Sequence, residues 1–224
     1  MPLCIMRMKK LLTILIIAST LIGCGIFNKS YKSEIDGVYI PKNLDDAIAE
    51  LDKDFPDSLK TAIRKMTEDD FSARYHMGTG IWMRNNWNLW AGSRLSRYFN
   101  KMEIYHPDDM SGIILDSFHR TLMDQPIELE EQVAYYKLYW VVVKKPEKEN
   151  YPNGEKDLEF NSGIYYDRPD EKPAIVHIQT NSSNDDVWLF DYYLGWKQVN
   201  QTQIDELSDN QNNRFEILKR IYSE

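Results

Sequence analysis

The chain has 224 residues, 42% hydrophobic and 28% charged, with a formal net charge of −8. An acidic surface of this kind repels nucleic acid and anionic lipid headgroups, which excludes electrostatic attachment to either. Its only cysteines are Cys4 and Cys24, too few for a disulfide framework.

From Met8 the chain reads Lys9-Lys10, an apolar run over residues 11–17, and then Leu21-Ile22-Gly23-Cys24. A charged start, an apolar stretch and a small-residue approach to a cysteine form the pattern of a bacterial lipoprotein signal peptide over residues 1–23. The apolar run of residues 11–22 falls short of the roughly 20 residues that a membrane-spanning helix needs. Cleavage before Cys24 makes it the first mature residue, with acyl chains on its thiol and amine. Several chains at about 0.8 kcal/mol per buried methylene hold where a single chain is marginal.

Processing removes Cys4 and leaves no free thiol, so thiol chemistry is excluded. It also removes Arg7, Lys9 and Lys10 and no acid, taking the charge from −8 to −11. No polybasic segment follows Cys24, so membrane contact is expected through lipid alone, on a periplasm-facing lipoprotein of the cell envelope. Met8 is a second good start, which leaves residues 1–7 open as an over-extended one.

Residues 25–39 are polar and aperiodic, and with Cys24 they read as a tether spanning 24–39. The fold is expected to begin near Ile40. Asn43 suits an N-cap for a helix through Leu44, Ile48 and Leu51, with Asp45 and Asp46 in its first turn. Pro56 separates it from a second helix through Leu59, Ile63 and Met66. Thr67-Glu68-Asp69-Asp70 opens a third in the manner of a capping box.

Residues 78–90 place Trp82, Asn86 and Trp90 at i, i+4 and i+8, with Ile81, Asn85 and Leu89 on the adjacent row, an aromatic stripe with amides inside it. A short helix with Leu95, Tyr98 and Phe99 follows Ser93. His106-Pro107-Asp108-Asp109 then starts a helix with proline at its first position and an apolar face of Met110, Ile113, Ile114, Phe118 and Leu122.

Residues 129–140 read as a helix with Val133, Tyr136 and Trp140 on one face, although Val141-Val142-Val143 suits a strand equally, and the choice stays open. Residues 144–156, with Pro146, Pro152, Asn153 and Gly154, form a loop. Strands are predicted over 158–160, 164–167, 174–180 and 187–199. A turn at Asn161-Ser162-Gly163 joins the first two, and Trp188, Phe190, Tyr192, Leu194 and Trp196 alternate onto one face. Ile204, Leu207, Leu218 and Ile221 have helical spacing behind a Thr202 cap. The fold class is therefore α+β: a helical N-terminal domain over 40–125, then a small antiparallel sheet with flanking helices over 126–224.

Several long motifs lie between Ile40 and Leu122: Ile40-Pro41-Lys42-Asn43-Leu44, His76-x-Gly78-x-Gly80-x-Trp82-x-Arg84-Asn85-Asn86-Trp87-x-Leu89-Trp90, Ser93-Arg94-Leu95-Ser96 and His106-Pro107-Asp108-Asp109-Met110. In these the chain resembles an uncharacterised bacterial domain-of-unknown-function family, DUF6794. The resemblance covers a little under half of the chain. It implies a shared domain and carries no catalytic role with it.

The candidate ligand-binding residues are His76, Trp82, Arg84, Asn85, Asn86, Trp87 and Trp90. Indoles beside a guanidinium and amides suit a clamp for a sugar or peptide, with stacking and bidentate hydrogen bonds. The same residue types also suit a buried polar network where helices meet, and that reading is the one we favour from sequence.

His76 as a general base lacks a nucleophile at any recognisable spacing. Helix-start chemistry accounts for His106, Asp108 and Asp109 without a metal, and His119 and His177 have no partner visible in the sequence. No catalytic residue, metal or cofactor is expected. The chain reads as a non-catalytic interaction module that holds an envelope protein or glycan near the membrane. The competing class is a hydrolase using His76, or an Asp/Glu pair, beside Arg84.

Overall fold

The computed structural model describes residues 31–152 and 154–224. The expected signal peptide and Cys24 lie outside the described residues. The architecture is α+β, as expected. Two compact units divide between Val133 and Ala134.

In the first unit, residues 34–39 of the expected tether form a hairpin, β1 (Glu34–Ile35) and β2 (Val38–Tyr39), paired Glu34↔Tyr39 and Ile35↔Val38. Asp36 (φ 51°) and Gly37 (φ 82°) make the turn with both residues left-handed, the geometry that matches strand twist and that Asp-Gly favours. Ile35 is buried, and the Arg94 guanidinium lies 5.0 Å from the Tyr39 ring centroid.

The helices start where their caps predict. The Asn43 side chain accepts the Asp46 N–H at 3.0 Å to open α1 (Leu44–Asp54), which buries Leu44, Ala47, Ile48 and Leu51. Beyond Pro56 comes α2 (Asp57–Ile63), and Thr67 accepts the Asp70 N–H at 3.1 Å to open α3 (Glu68–Tyr75). Ser93 caps α5 (Arg94–Asn100), and α6 (Pro107–Leu122) runs through the core. Met110, Ile113, Ile114, Leu115 and Phe118 of α6 are buried together with Phe71 of α3 and Leu51 of α1. In α7 (Leu129–Val142) the helix prevails over the strand alternative. Its first turn belongs to this unit, where Gln132 Nε2 donates to Ser117 Oγ at 3.2 Å.

The second unit is a four-stranded antiparallel sheet in the order β3 (Leu158–Tyr165), β4 (Ile175–Asn181), β5 (Val187–Asp191), β6 (Gly195–Val199). The turn expected at residues 161–163 is instead a bulge inside β3, where Phe160 pairs with Gln179 and Ser162 with Ile178, leaving Asn161 as the extra residue.

The strand expected over residues 187–199 folds back on itself. Buried Asp191 accepts the N–H groups of Tyr193 and Leu194 at 2.8 and 2.9 Å and the Tyr166 hydroxyl at 2.5 Å, and Gly195 takes φ 83°. Tyr192 and Leu194 therefore lie in the turn, off the face shared by Trp188, Phe190 and Trp196. Val176, Ile178 and Leu189 pack with Leu207 of α8 (Gln201–Asp209) and with Ile217, Leu218 and Ile221 of α9 (Arg214–Ser223). Asn200, not Thr202, caps α8, through a full capping box with Gln203.

Candidate functional site

His76 does not end a helix. The chain continues from α3 through a π-helical turn, His76–Gly80, into α4 (Ile81–Asn86), so residues 68–86 form one helix with a widened turn inside it. Gly80 permits the geometry there: a Cβ at this position would lie 3.0 Å from Arg84 Nη1. Such insertions relocate the side chains that follow them and occur often at functional sites.

The expected stripe of Trp82, Asn86 and Trp90 breaks at the end of this helix. Trp87 closes α4, Asn88 is left-handed (φ 54°), and Trp90 sits in a 3₁₀ turn, Leu89–Ala91. Trp87 is buried in the core, whereas Trp82 is 41% and Trp90 58% exposed. The Trp82 ring meets Trp87 edge-on at 5.7 Å.

Arg84 is buried, and its polar atoms face inward. Nε forms an ion pair with Asp108 Oδ1 at 2.9 Å, while Nη1 donates to Ser111 Oγ at 2.7 Å and Nη2 to the His76 carbonyl at 3.5 Å. Asn86 Nδ2 donates back to the Trp82 carbonyl at 2.9 Å, and Asn85 is exposed.

The groups that reach solvent surround Asp108 instead. His76 Nε2 lies 3.9 Å from Oδ1 and His106 Nδ1 lies 3.5 Å from Oδ2, each side chain about 40% exposed, as is Asp108. His106 Nδ1 accepts the Asp108 N–H at 3.2 Å as the α6 cap, so the neutral ring carries its proton on Nε2. Trp90 meets the His106 ring edge-on at 5.7 Å. Among the described residues no three His, Cys, Asp or Glu side chains are grouped to hold a metal ion.

Asp108 was legible only as a helix-start acid. Its place beside Arg84 depends on α6 packing against a helix 24 residues earlier, which no local spacing records.

Chemically, the cluster offers a carboxylate braced by a buried cation, two imidazoles and an exposed indole. Ser111 is buried and fully engaged, donating to the Asp108 carbonyl at 2.9 Å while accepting from Arg84, so it is no nucleophile.

Residues 40–122 match the model of a family described as a domain of unknown function, DUF6794. Every residue of the cluster lies within the DUF6794 match, and the sheet unit lies outside it. No curated protein and no solved structure matches the chain.

Elsewhere in the first unit, burial pushes the Asp116 carboxyl up to about 6, opposed by a hydrogen bond from Ser72 Oγ and aided by nearby Glu68. Arg120 holds Glu68 through a bidentate pair at 2.7 and 2.8 Å. The second unit has a cavity of about 300 Å³ lined by Arg168, Arg214 and Phe215 among others. Both guanidiniums there are engaged, Arg168 with Asp170 at 2.8 Å and Arg214 with the Leu207 carbonyl at 2.9 Å.

Proposed function

We propose that the chain is a lipid-anchored binding module of the bacterial cell envelope, held to a membrane through Cys24 and facing the periplasm. Its recognition face is the surface around Asp108, with His76, His106, Trp82 and Trp90 as the ligand-facing groups and Arg84 as the brace behind them. The supporting observation is the division of labour within the cluster: Arg84 is buried with its donors directed at protein atoms, while the carboxylate it holds stays 40% exposed beside His106, whose ring the exposed Trp90 indole meets. Buried donors fix a polar group in place without ordering it anew on binding, which is how preorganised sites gain affinity.

Two measurements test this reading. Labelled palmitate should enter the wild-type protein and not Cys24→Ala. Envelope crosslinking should recover partners with the wild type and lose them with Trp90→Ala. Unchanged capture by the variant would remove the site from this face.

A second reading, a hydrolase, has one observation in its favour: His76 Nε2 and the Asp108 carboxylate lie 3.9 Å apart beside Arg84. With Ser111 engaged, the attacking group in that reading is water activated by His76. Hydrolysis of envelope polymer that disappears in His76→Gln would favour it.

A further inference from the structure

We infer that the ligand of the Asp108 face is a neutral saccharide, with a sugar ring stacked on Trp90 and its hydroxyls donating to the Asp108 carboxylate. This inference rests on the reading of that face as a binding site.

Charge gives the first argument. The formal charges that meet here are one carboxylate and one guanidinium, 2.9 Å apart, and they cancel. A cationic ligand meets a carboxylate whose charge is already offset by Arg84 at 2.9 Å, so it gains little Coulomb attraction there. An anionic ligand meets a carboxylate that has no proton to donate. Neither charge sign is attracted, which leaves a neutral ligand.

Donor and acceptor chemistry gives the second. An ionised carboxylate only accepts, with about four lone-pair directions on its two oxygens. Arg84 Nε pairs with Oδ1 from the buried side, and the carboxylate is 40% exposed. Adjacent hydroxyls on a sugar ring provide closely spaced donors, and they have no formal charge to desolvate.

The indole gives the third. Trp90 is 58% exposed, yet its ring is positioned by the edge contact with His106 at 5.7 Å. An ordered, exposed aromatic plane next to a polar group matches a ring that is apolar on its C–H face and polar at its edge.

The test uses the full-length protein in detergent. It is titrated by calorimetry with neutral oligosaccharides of glucose, galactose and N-acetylglucosamine, with deacetylated chitotriose as the cationic control and trigalacturonate as the anionic one. At least one neutral sugar is expected to bind more tightly than both charged controls. Trp90→Ala should weaken that binding at least tenfold, Trp90→Phe should restore most of it, and circular dichroism should show both variants folded.

Absence of binding by every neutral sugar, preference for a charged control, or an unchanged affinity in Trp90→Ala would each overturn the inference. If neutral sugars fail while Trp90→Ala still abolishes envelope capture, the binding face stands and the saccharide falls. If capture is also unchanged, both fall.

Discussion

Arg84 and Asp108 form an ion pair across the surface of the first unit: the guanidinium is 5% exposed, and the carboxylate it holds at 2.9 Å is 40% exposed. The cation is thus the dependent partner. Asp108 can rehydrate if the pair breaks, whereas Arg84 cannot.

This asymmetry predicts that Asp108→Ala destabilises the unit by about 3 kcal/mol, the range for orphaning one partner of a buried pair. Arg84→Met should cost less, about 1–2 kcal/mol, because Ser111 still donates to the Asp108 carbonyl, the His76 carbonyl loses only a 3.5 Å contact, and the carboxylate is solvated. Denaturant titration of both variants gives the comparison, and an Arg84→Met cost equal to or above that of Asp108→Ala would contradict it.

The two glycines of the π-helical turn should respond differently to alanine. A Cβ at Gly78 meets nothing within 4 Å, so Gly78→Ala should stabilise by about 0.5–1 kcal/mol through the unfolded chain. At Gly80 the same methyl would press on Arg84 Nη1 at 3.0 Å, which offsets that gain and displaces the guanidinium. Thermal melts in which both variants gained equally would show that the turn does not depend on Arg84.

The tryptophans divide in the same way. Trp87→Ala should cost about 3–5 kcal/mol, since that ring lies in the core with Met83 and Leu89. Trp90→Ala should stay within about 1 kcal/mol, given a ring more than half in solvent. Unfolding of the Trp90 variant would make its indole structural.

Between pH 4 and 7 the two units should move in opposite directions. Asp116 titrates near 6 in the folded chain against 3.8 as an isolated carboxyl. Its contribution is therefore complete below pH 4 and lost as the pH rises through 6, on the order of 3 kcal/mol in total. His177 in β4 is buried between the Phe160 and Phe190 rings, and its value is lowered, chiefly by burial. A lowered histidine contributes stability above pH 6.5 that is lost as the pH falls through its folded value. Hydrogen exchange resolved by residue should show the first unit opening more readily at pH 7 than at pH 4, and the sheet the reverse. Asp116→Asn should flatten the first profile, and a profile unchanged by that substitution would exclude Asp116 as its source.

Much of the helical unit was legible because its signals are local. Asn43, Thr67, Ser93 and the His106-Pro107 pair each announce a helix within three or four residues, and each is the cap observed. The features missed are those that a distant contact decides. The stripe from Trp82 to Trp90 has unbroken helical spacing, yet the left-handed Asn88 ends it, burying Trp87 and Leu89 and sending Trp90 outward. Apolar alternation from Trp188 to Trp196 runs through a turn because Asp191, which looks like any surface acid in sequence, is buried and gathers the turn's N–H groups. In the candidate site the indoles, His76 and Arg84 were visible as a group, but Asp108, which joins them, was not.

The widened turn at His76–Gly80 sets an alignment between two segments of one helix. Each helical residue advances the chain by about 100°, and the widened turn absorbs one extra residue, so winding the same residues as an ordinary helix would rotate everything from Ile81 onward by roughly that angle. Trp87 would swing out of the interior and Arg84 away from Asp108 together. The placement of Trp87 and Arg84 is therefore a consequence of the wider winding at His76–Gly80, and a one-residue deletion there is expected to disturb it less than an insertion of one.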